Sequence, residues 1–216
     1  MNEILIVPDV HGRRFWEPAL DYPGQIIFLG DYFDPIPDEK ISETDALETI
    51  LRIVSFKQKN PDKVTLLIGN HELHYFPETG KYSRFSPHCH VVINEMLTNG
   101  ETKGLFQACK QKGKYLFIHG GITKGWYDKH YGAFAGLGDT LEERINRYFV
   151  ENRAAFEEVS PKYRSESDQF DFSSPLWADI RELDEEGNDH FDNNIIQIVG
   201  HTQTEDEKIL VINNVG

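Results

Sequence analysis

Nine side chains able to hold a metal or move a proton recur in short polar motifs along this chain: Asp9 and His11 in "DVH", Asp31 and Asp34 in "GDYFD", Asn70, His71 and Glu72 in "GNHE", His119 in "HGG" and His201 in "GHT". Carboxylate oxygen and imidazole nitrogen are donors for manganese, iron and zinc, and the lack of cysteine among them argues against a structural zinc site. Any one motif alone is ordinary loop decoration. Their recurrence, each after an apolar run, points to a shared metal site.

Those runs are the elements that must position the motifs. "EILIV", "QIIFL", "KVTLLI" and "KYLFI" have strand length and are rich in β-branched or aromatic residues, and "PDVHG", "GDYFD", "GNHE" and "HGG" follow them directly. Four polar turns thus fall at the carboxyl ends of four strands, the edge at which open α/β sheets bind ligands. Between them, "TDALETILRIVSFKQKN" places Ala46, Ile50, Ile53 and Val54 near one helical stripe, with Thr44 as its cap and Pro61 just past its end. Residues 88–99 and 103–111 read as shorter helices, and 139–156 as a long amphipathic one with Leu141, Ile145, Tyr148 and Phe149 on one side. Such alternation predicts an α/β fold with a parallel or mixed sheet covered by helices. Residues 125–194 break the rhythm, with one clear helix and then irregular sequence; they read as a cap or insertion within a single domain spanning 1–216. "IIQIVG" and "KILVIN" then resume strand character.

Bulk properties limit the function classes. A formal charge of −14 from 22 basic and 36 acidic residues argues against a duplex nucleic-acid surface. Carboxylates that hold cations still permit phosphate chemistry. No run reaches the roughly 20 apolar residues of a membrane span, and "EILIV" is entered without a secretory signal, so a cytoplasmic protein that binds no membrane is expected. Two cysteines, Cys89 and Cys109, are too few for a disulfide framework and are expected as free thiols.

The five motifs, in this order from "PDVHG" to "GHT", resemble the calcineurin-like metallophosphoesterase family, and more closely its serine/threonine protein phosphatase and diadenosine tetraphosphatase branch. "SSPLWADIRE" is similar to the family's Leu-Trp-Ser-Asp segment. The resemblance implies a four-layer α/β/β/α sandwich of two mixed sheets around a dinuclear site. Asp9 and His11 would hold the first metal, Asp31 would bridge, and Asn70, His119 and His201 would hold the second. Two divalent or trivalent ions are implied, manganese first, with iron or zinc accepting the same donors. His71 would be the general acid and Asp34 its hydrogen-bond partner, with in-line attack on phosphorus by a metal-bound hydroxide.

Departures from the family pattern bear on substrate. Pro35 stands where the protein-phosphatase branch has a phosphate-clamping arginine; Arg13, Arg14 or Arg181 could restore that contact, or be solvated surface arginines. Pro8 replaces a usual glycine, and Gln203 stands where wider-family members have a second histidine. His74, His88, His90 and His130 match no motif and read as surface or packing residues, Trp126 and Trp177 as core or cap packing, and "DEEGNDHFDNN" as a solvated acidic turn. The expected activity is hydrolysis of phosphomonoesters, on a phosphoprotein or small phosphorylated metabolite. A dinucleoside polyphosphate or nucleotide hydrolase is the alternative, with Tyr32, Phe33, Tyr75, Phe76 or Trp177 to stack a base. A non-catalytic metal-stabilised scaffold would have no need of His71 and Asp34.

Overall fold

The computed structural model describes residues 3–98, 102, 104–162, 171–185 and 190–203. The chain divides into two compact units, residues 1–107 and 108–216.

In the first unit, β1 (Ile4–Val7), β2 (Gln25–Phe28), β3 (Val64–Leu67) and β4 (Phe106–Gln107) form a parallel sheet in the order β1-β2-β3-β4. The register aligns Val7 with Phe28 and Phe28 with Leu66, so the turns that follow leave from one edge. Ile26 and Phe28 of β2 join Val64 and Leu66 of β3 in one apolar cluster, while Ile27 is buried outside it. Burial of both faces explains why these strands read as continuous apolar runs.

Helix α1 (Glu43–Lys59) covers that cluster with Ile50, Ile53, Val54 and Phe56. Its cap is Ser42, whose hydroxyl accepts the Asp45 amide at 3.1 Å, rather than Thr44, which lies inside the first turn. Both residue types cap helices, serine somewhat better than threonine, and the sequence offers both. Lys57 ends the helix by donating to the carbonyls of Pro61 and Val64 at 2.7 and 2.6 Å. The short helix α2 (Asn70–Leu73) follows β3 directly, and α3 (His90–Thr98) falls within the predicted 88–99 segment.

Within the segment expected as a helix at 103–111, residues 104–111 are not helical: they supply β4 and the start of β5 (Cys109–Lys112) of the second unit. The backbone there is taken by side chains far along the chain. Asn146 Oδ1 accepts the amides of Ala108 and Cys109 at 2.8 and 3.0 Å, and Glu142 accepts that of Gln111 at 2.8 Å. Tertiary partners override local helical propensity.

The second unit has a mixed sheet in which β5 runs antiparallel to β6 (Tyr115–Ile118), and β6 parallel to β7 (Ile196–Ile198). Residues 125–194 contain more than the one helix expected. Besides α5 (Leu141–Glu151) there are α4 (Lys124–Phe134) and α6 (Ile180–Glu185). Gly125 and Gly132 obscure α4 in the sequence, yet Thr123 caps it and Trp126 and Phe134 bury its face. The predicted 139–156 helix stops at Glu151 and continues as a 3₁₀ turn, Arg153–Phe156. Trp126 donates to Ala155 O at 2.9 Å inside a cluster with Phe134, Tyr148 and Phe156. The "KILVIN" segment lies outside the described residues. Among the described residues, no helix is long and apolar enough to cross a membrane.

Candidate metal centre and its acid

Asp31 knots the strand-end turns of the first unit. Its carbonyl accepts the amides of Val10 and His11 at 3.0 and 2.7 Å, and its Oδ1 accepts the His71 amide at 3.0 Å. Its own amide, with those of Tyr32 and Gly69, donates to the Glu72 carboxylate at 2.8, 2.7 and 3.0 Å. Glu72 therefore ties the second and third motif turns together through three backbone donors. Burial and the adjacent Asp31 raise its pKa to about 8, against the pull of those amides. The turns approach so closely that a Cβ on Gly30 (φ +115°) would stand 2.5 Å from the Gly69 nitrogen.

The backbone is left-handed at His11, Asp31 and Asp34, with φ of 47°, 53° and 52°. For non-glycine residues this conformation costs on the order of 1–3 kcal/mol each, and it clusters at functional sites. Here it turns three polar side chains off the sheet edge in succession.

Asp9, His11 and Asp31 offer donor atoms that all lie within 4.8 Å of one another. His11 Nδ1 is 3.1 Å from the Phe33 carbonyl, which can only accept, so that nitrogen carries the proton and Nε2, 3.6 Å from Asp31 Oδ2, keeps its lone pair. Burial lowers His11 to about 4 despite Asp9, and burial with the Asp9 charge raises Asp31 well above the usual carboxylate value. Two carboxylates and a lone-pair imidazole crowded in this way fit a divalent cation, which would relieve both strains. Asn70, buried at the start of α2, adjoins them in sequence through the His71 amide.

Beside this group lies a second one. His71 Nδ1 is 2.7 Å from Asp34 Oδ2, and His74 Nε2 is 2.5 Å from the same oxygen, while the Tyr75 hydroxyl donates to Oδ1 at 2.5 Å. Burial pushes the Asp34 carboxyl up, but its hydrogen bonds and charge interactions with the two histidines outweigh that and hold it below its ordinary value. Asp34 is thus an acceptor, and Nδ1 of His71 carries the proton. Burial lowers His71 to about 4, with Asp34 pulling the other way and Arg84 adding to the fall. Arg84 reaches Nε2 of His71 at 2.5 Å through Nη2 and the Asp34 carbonyl at 3.0 Å through Nη1. Three donor atoms of Asp34, His71 and His74 lie close enough for a cation, but the neighbouring guanidinium makes this a poor place for a second positive charge.

In the second unit, His119 follows β6 and His201 follows β7, at the same end of two parallel strands. His119 Nε2 and His201 Nδ1 stand 3.1 Å apart, and His201 too is left-handed at φ 63°. Nitrogens that share one tetrahedral zinc at about 2.1 Å are about 3.4 Å apart, close to this separation, so the pair suits a transition metal. The "SSPLWAD" segment lies over this turn: the Pro175 carbonyl accepts the Gly120 and Gly121 amides at 2.8 and 3.2 Å.

The three arginines singled out in the sequence sit on carboxylates. Arg13 grips Glu39 with two bonds of 2.7 and 2.8 Å, Arg14 pairs with Glu48 at 3.2 Å, and Arg181 forms bonds of 2.8 and 2.9 Å to Asp179. Tyr32, Phe33, Tyr75, Phe76 and Trp177 are all buried, so none offers an open face for a base. His88 is exposed, and His130 bridges Tyr148 and Glu158 at 2.9 and 3.1 Å. Sequence reasoning named Glu72 only as a member of its motif, Tyr75 only as a residue to stack a base and His74 only as surface or packing, and it did not single out Arg84. His74 was legible in principle, three residues past His71 on one helical face; Arg84 lies in the loop "KYSRF" with no motif around it.

The matched stretch of the serine/threonine-protein phosphatase PP1-1 of Saccharomyces cerevisiae is 28% identical over 138 residues, 56% of this chain and 39% of that protein. The chain thus spans well under two thirds of that relative's length. The crystal structure of a cold-active protein-tyrosine phosphatase of a psychrophilic Shewanella is similar over 95% of this chain and 67% of that one, with 18% identity and a TM-score of 0.53. Another structure of cold-active protein tyrosine phosphatase has a TM-score of 0.56 at 17% identity, covering 95% and 65%. These structural likenesses bear on the fold alone, an α/β arrangement with two sheets. The model of the family described as calcineurin-like phosphoesterase matches residues 3–205, a stretch that includes all five motif turns, and the chain belongs to that family.

Proposed function

We propose that this protein is a metal-dependent phosphatase acting on phosphomonoesters, carried by a phosphoprotein or a small phosphorylated metabolite. The observation that carries the reading is the His71–Asp34 pair at 2.7 Å, beside the Asp9, His11 and Asp31 donors. Asp9 and His11 are proposed to hold one metal ion, Asp31 to bridge, and Asn70, His119 and His201 to hold the other, with manganese, iron or zinc suited to the donors. The ions would supply activation of water and neutralisation of phosphoryl charge.

The chain's own residues would then manage the proton. Asp34 fixes Nδ1–H of His71 and leaves Nε2, which Arg84 contacts at 2.5 Å, as the nitrogen proposed to face substrate. A dianionic phosphate beside Nε2 raises its basicity, and the protonated ring delivers the proton to the departing oxygen. Tyr75 and His74 hold Asp34 in place from its other sides. Burial of the aromatic residues near the motifs favours this reading over one in which a nucleotide base is stacked.

The test is hydrolysis of para-nitrophenyl phosphate by protein stripped of metal and resupplied with manganese, beside His71→Ala and Asp9→Asn. The reading requires manganese-dependent turnover, lost in His71→Ala with metal content retained, and reduced metal content in Asp9→Asn. A wild type that binds two metals yet hydrolyses neither this ester nor a panel of phosphopeptides and sugar phosphates would refute it.

A further inference from the structure

We infer that Arg84 is the phosphate-binding arginine of this site and that it selects a terminal phosphomonoester over a diester. The inference deepens the phosphatase reading and rests on it. Among the described residues, no carboxylate forms an ion pair with the Arg84 guanidinium, in contrast with Arg13, Arg14 and Arg181. Its partners are instead the Asp34 carbonyl at 3.0 Å and Nε2 of His71 at 2.5 Å, with Nδ1 of His11 at 3.5 Å. The last contact sets donor against donor, because Nδ1–H of His11 already serves the Phe33 carbonyl. A guanidinium with no carboxylate in direct contact thus spans the gap between His11 and His71, the proposed metal ligand and the proposed acid, where a phosphoryl group would lie to be reached by both.

The backbone supports this placement. Arg84 is left-handed at φ 66°, a strained conformation for a residue with a Cβ, which persists only where the surrounding structure holds it. It also sits on a loop anchored at the site, since the Ser86 amide donates to the Tyr75 hydroxyl at 3.0 Å, and that hydroxyl is bound to Asp34. The loop therefore registers directly on the acid's partner. Guanidinium meets phosphate through two parallel N–H bonds to two terminal oxygens, which a monoester offers and a diester blocks in part.

The test uses Arg84→Lys and Arg84→Gly in the full chain. Glycine tolerates the left-handed backbone, so that variant removes the guanidinium without new strain. Inorganic phosphate is titrated calorimetrically into the manganese-loaded proteins, and hydrolysis of para-nitrophenyl phosphate is compared with that of its bis ester. Expected are unchanged metal content and thermal midpoint, a loss of about 10- to 100-fold in phosphate affinity for Arg84→Gly, partial recovery in Arg84→Lys, and a fall in monoester preference. Phosphate binding within twofold of wild type in Arg84→Gly, or no binding to wild type, overturns the inference. A wild type that binds phosphate through Arg84 but hydrolyses no ester leaves this assignment standing while the phosphatase reading fails.

Discussion

His71 and Asp34 meet at 2.7 Å with both side chains buried, and the carboxylate is gripped from its other sides by His74 and Tyr75. An imidazole held by so constrained a partner has a fixed tautomer and a fixed direction for its second nitrogen. Asp34→Asn offers an amide that no longer fixes the tautomer by charge. Expected is a fall in kcat of about 10²- to 10⁴-fold, with KM and metal content little changed and the acid limb of the kcat–pH profile displaced. Steady-state kinetics across pH on the manganese form checks this; an unchanged kcat would remove Asp34 from the mechanism.

Glu72 serves architecture. Three amides from two turns converge on its carboxylate, and a glutamine there presents an N–H₂ to at least one of them. Glu72→Gln should therefore lower stability by about 1–3 kcal/mol for each amide left without an acceptor, read from urea unfolding of the metal-free protein. Manganese affinity should fall with it, since Asp31 is positioned by the same bonds.

Gly69 has no room for a side chain. A Cβ there would stand 2.1 Å from Asp31 Oδ1 and 2.6 Å from its nitrogen. Gly69→Ala should cost about 2–4 kcal/mol and reduce manganese stoichiometry, measured by unfolding and by metal analysis after gel filtration. Full metal occupancy with native stability would mean that the two turns separate more easily than their packing implies.

Burial drives four groups of the metal-free site toward neutrality, and their linkages oppose one another. His11 and His71 fall from 6.5 to about 4, so between those values the unfolded chain holds two protons that the folded chain lacks. Over most of that range the folded chain holds an extra proton on Glu72, raised from 4.5 to about 8, and burial raises Asp31 in the same direction. The carboxyls therefore oppose the histidines below pH 6.5. Above it the histidine contribution is exhausted while Glu72 still titrates, and stability falls as pH rises toward 8, by at most about 1.4 kcal/mol per unit for that group. Urea unfolding with chelator at pH 7 and 8 should show the decline, and manganese should abolish it. A rise from pH 7 to 8 in the metal-free protein would contradict the assignment.

The strands and the motif turns were legible because burial on both faces leaves an unbroken apolar run and because chemistry concentrates where the run ends. Residues 104–111 escaped a sequence reading because the amides of Ala108, Cys109 and Gln111 are taken by Asn146 and Glu142, more than 30 residues away, and no local pattern records such partners. Helix α4 was hidden by two glycines, although a capped start and buried Trp126 and Phe134 sustain it. Arg84 could not be found by motif, because what brings it to His71 is a loop conformation anchored through Tyr75 rather than spacing along a strand.

Five side chains of the two clusters, His11, Asp31, Asp34, Arg84 and His201, are carried on left-handed backbone. Glycine would relieve the backbone cost at each of them, but at Asp31 and Asp34 it would also strand the buried partners of their carboxylates, and at every one it would remove a group that the proposed chemistry needs, so a programme to raise heat resistance gains little there. Durable improvement has to be sought on exposed helix faces instead, at Leu51, Val91 and Val150, where better surface residues leave the working backbone as tense as it is.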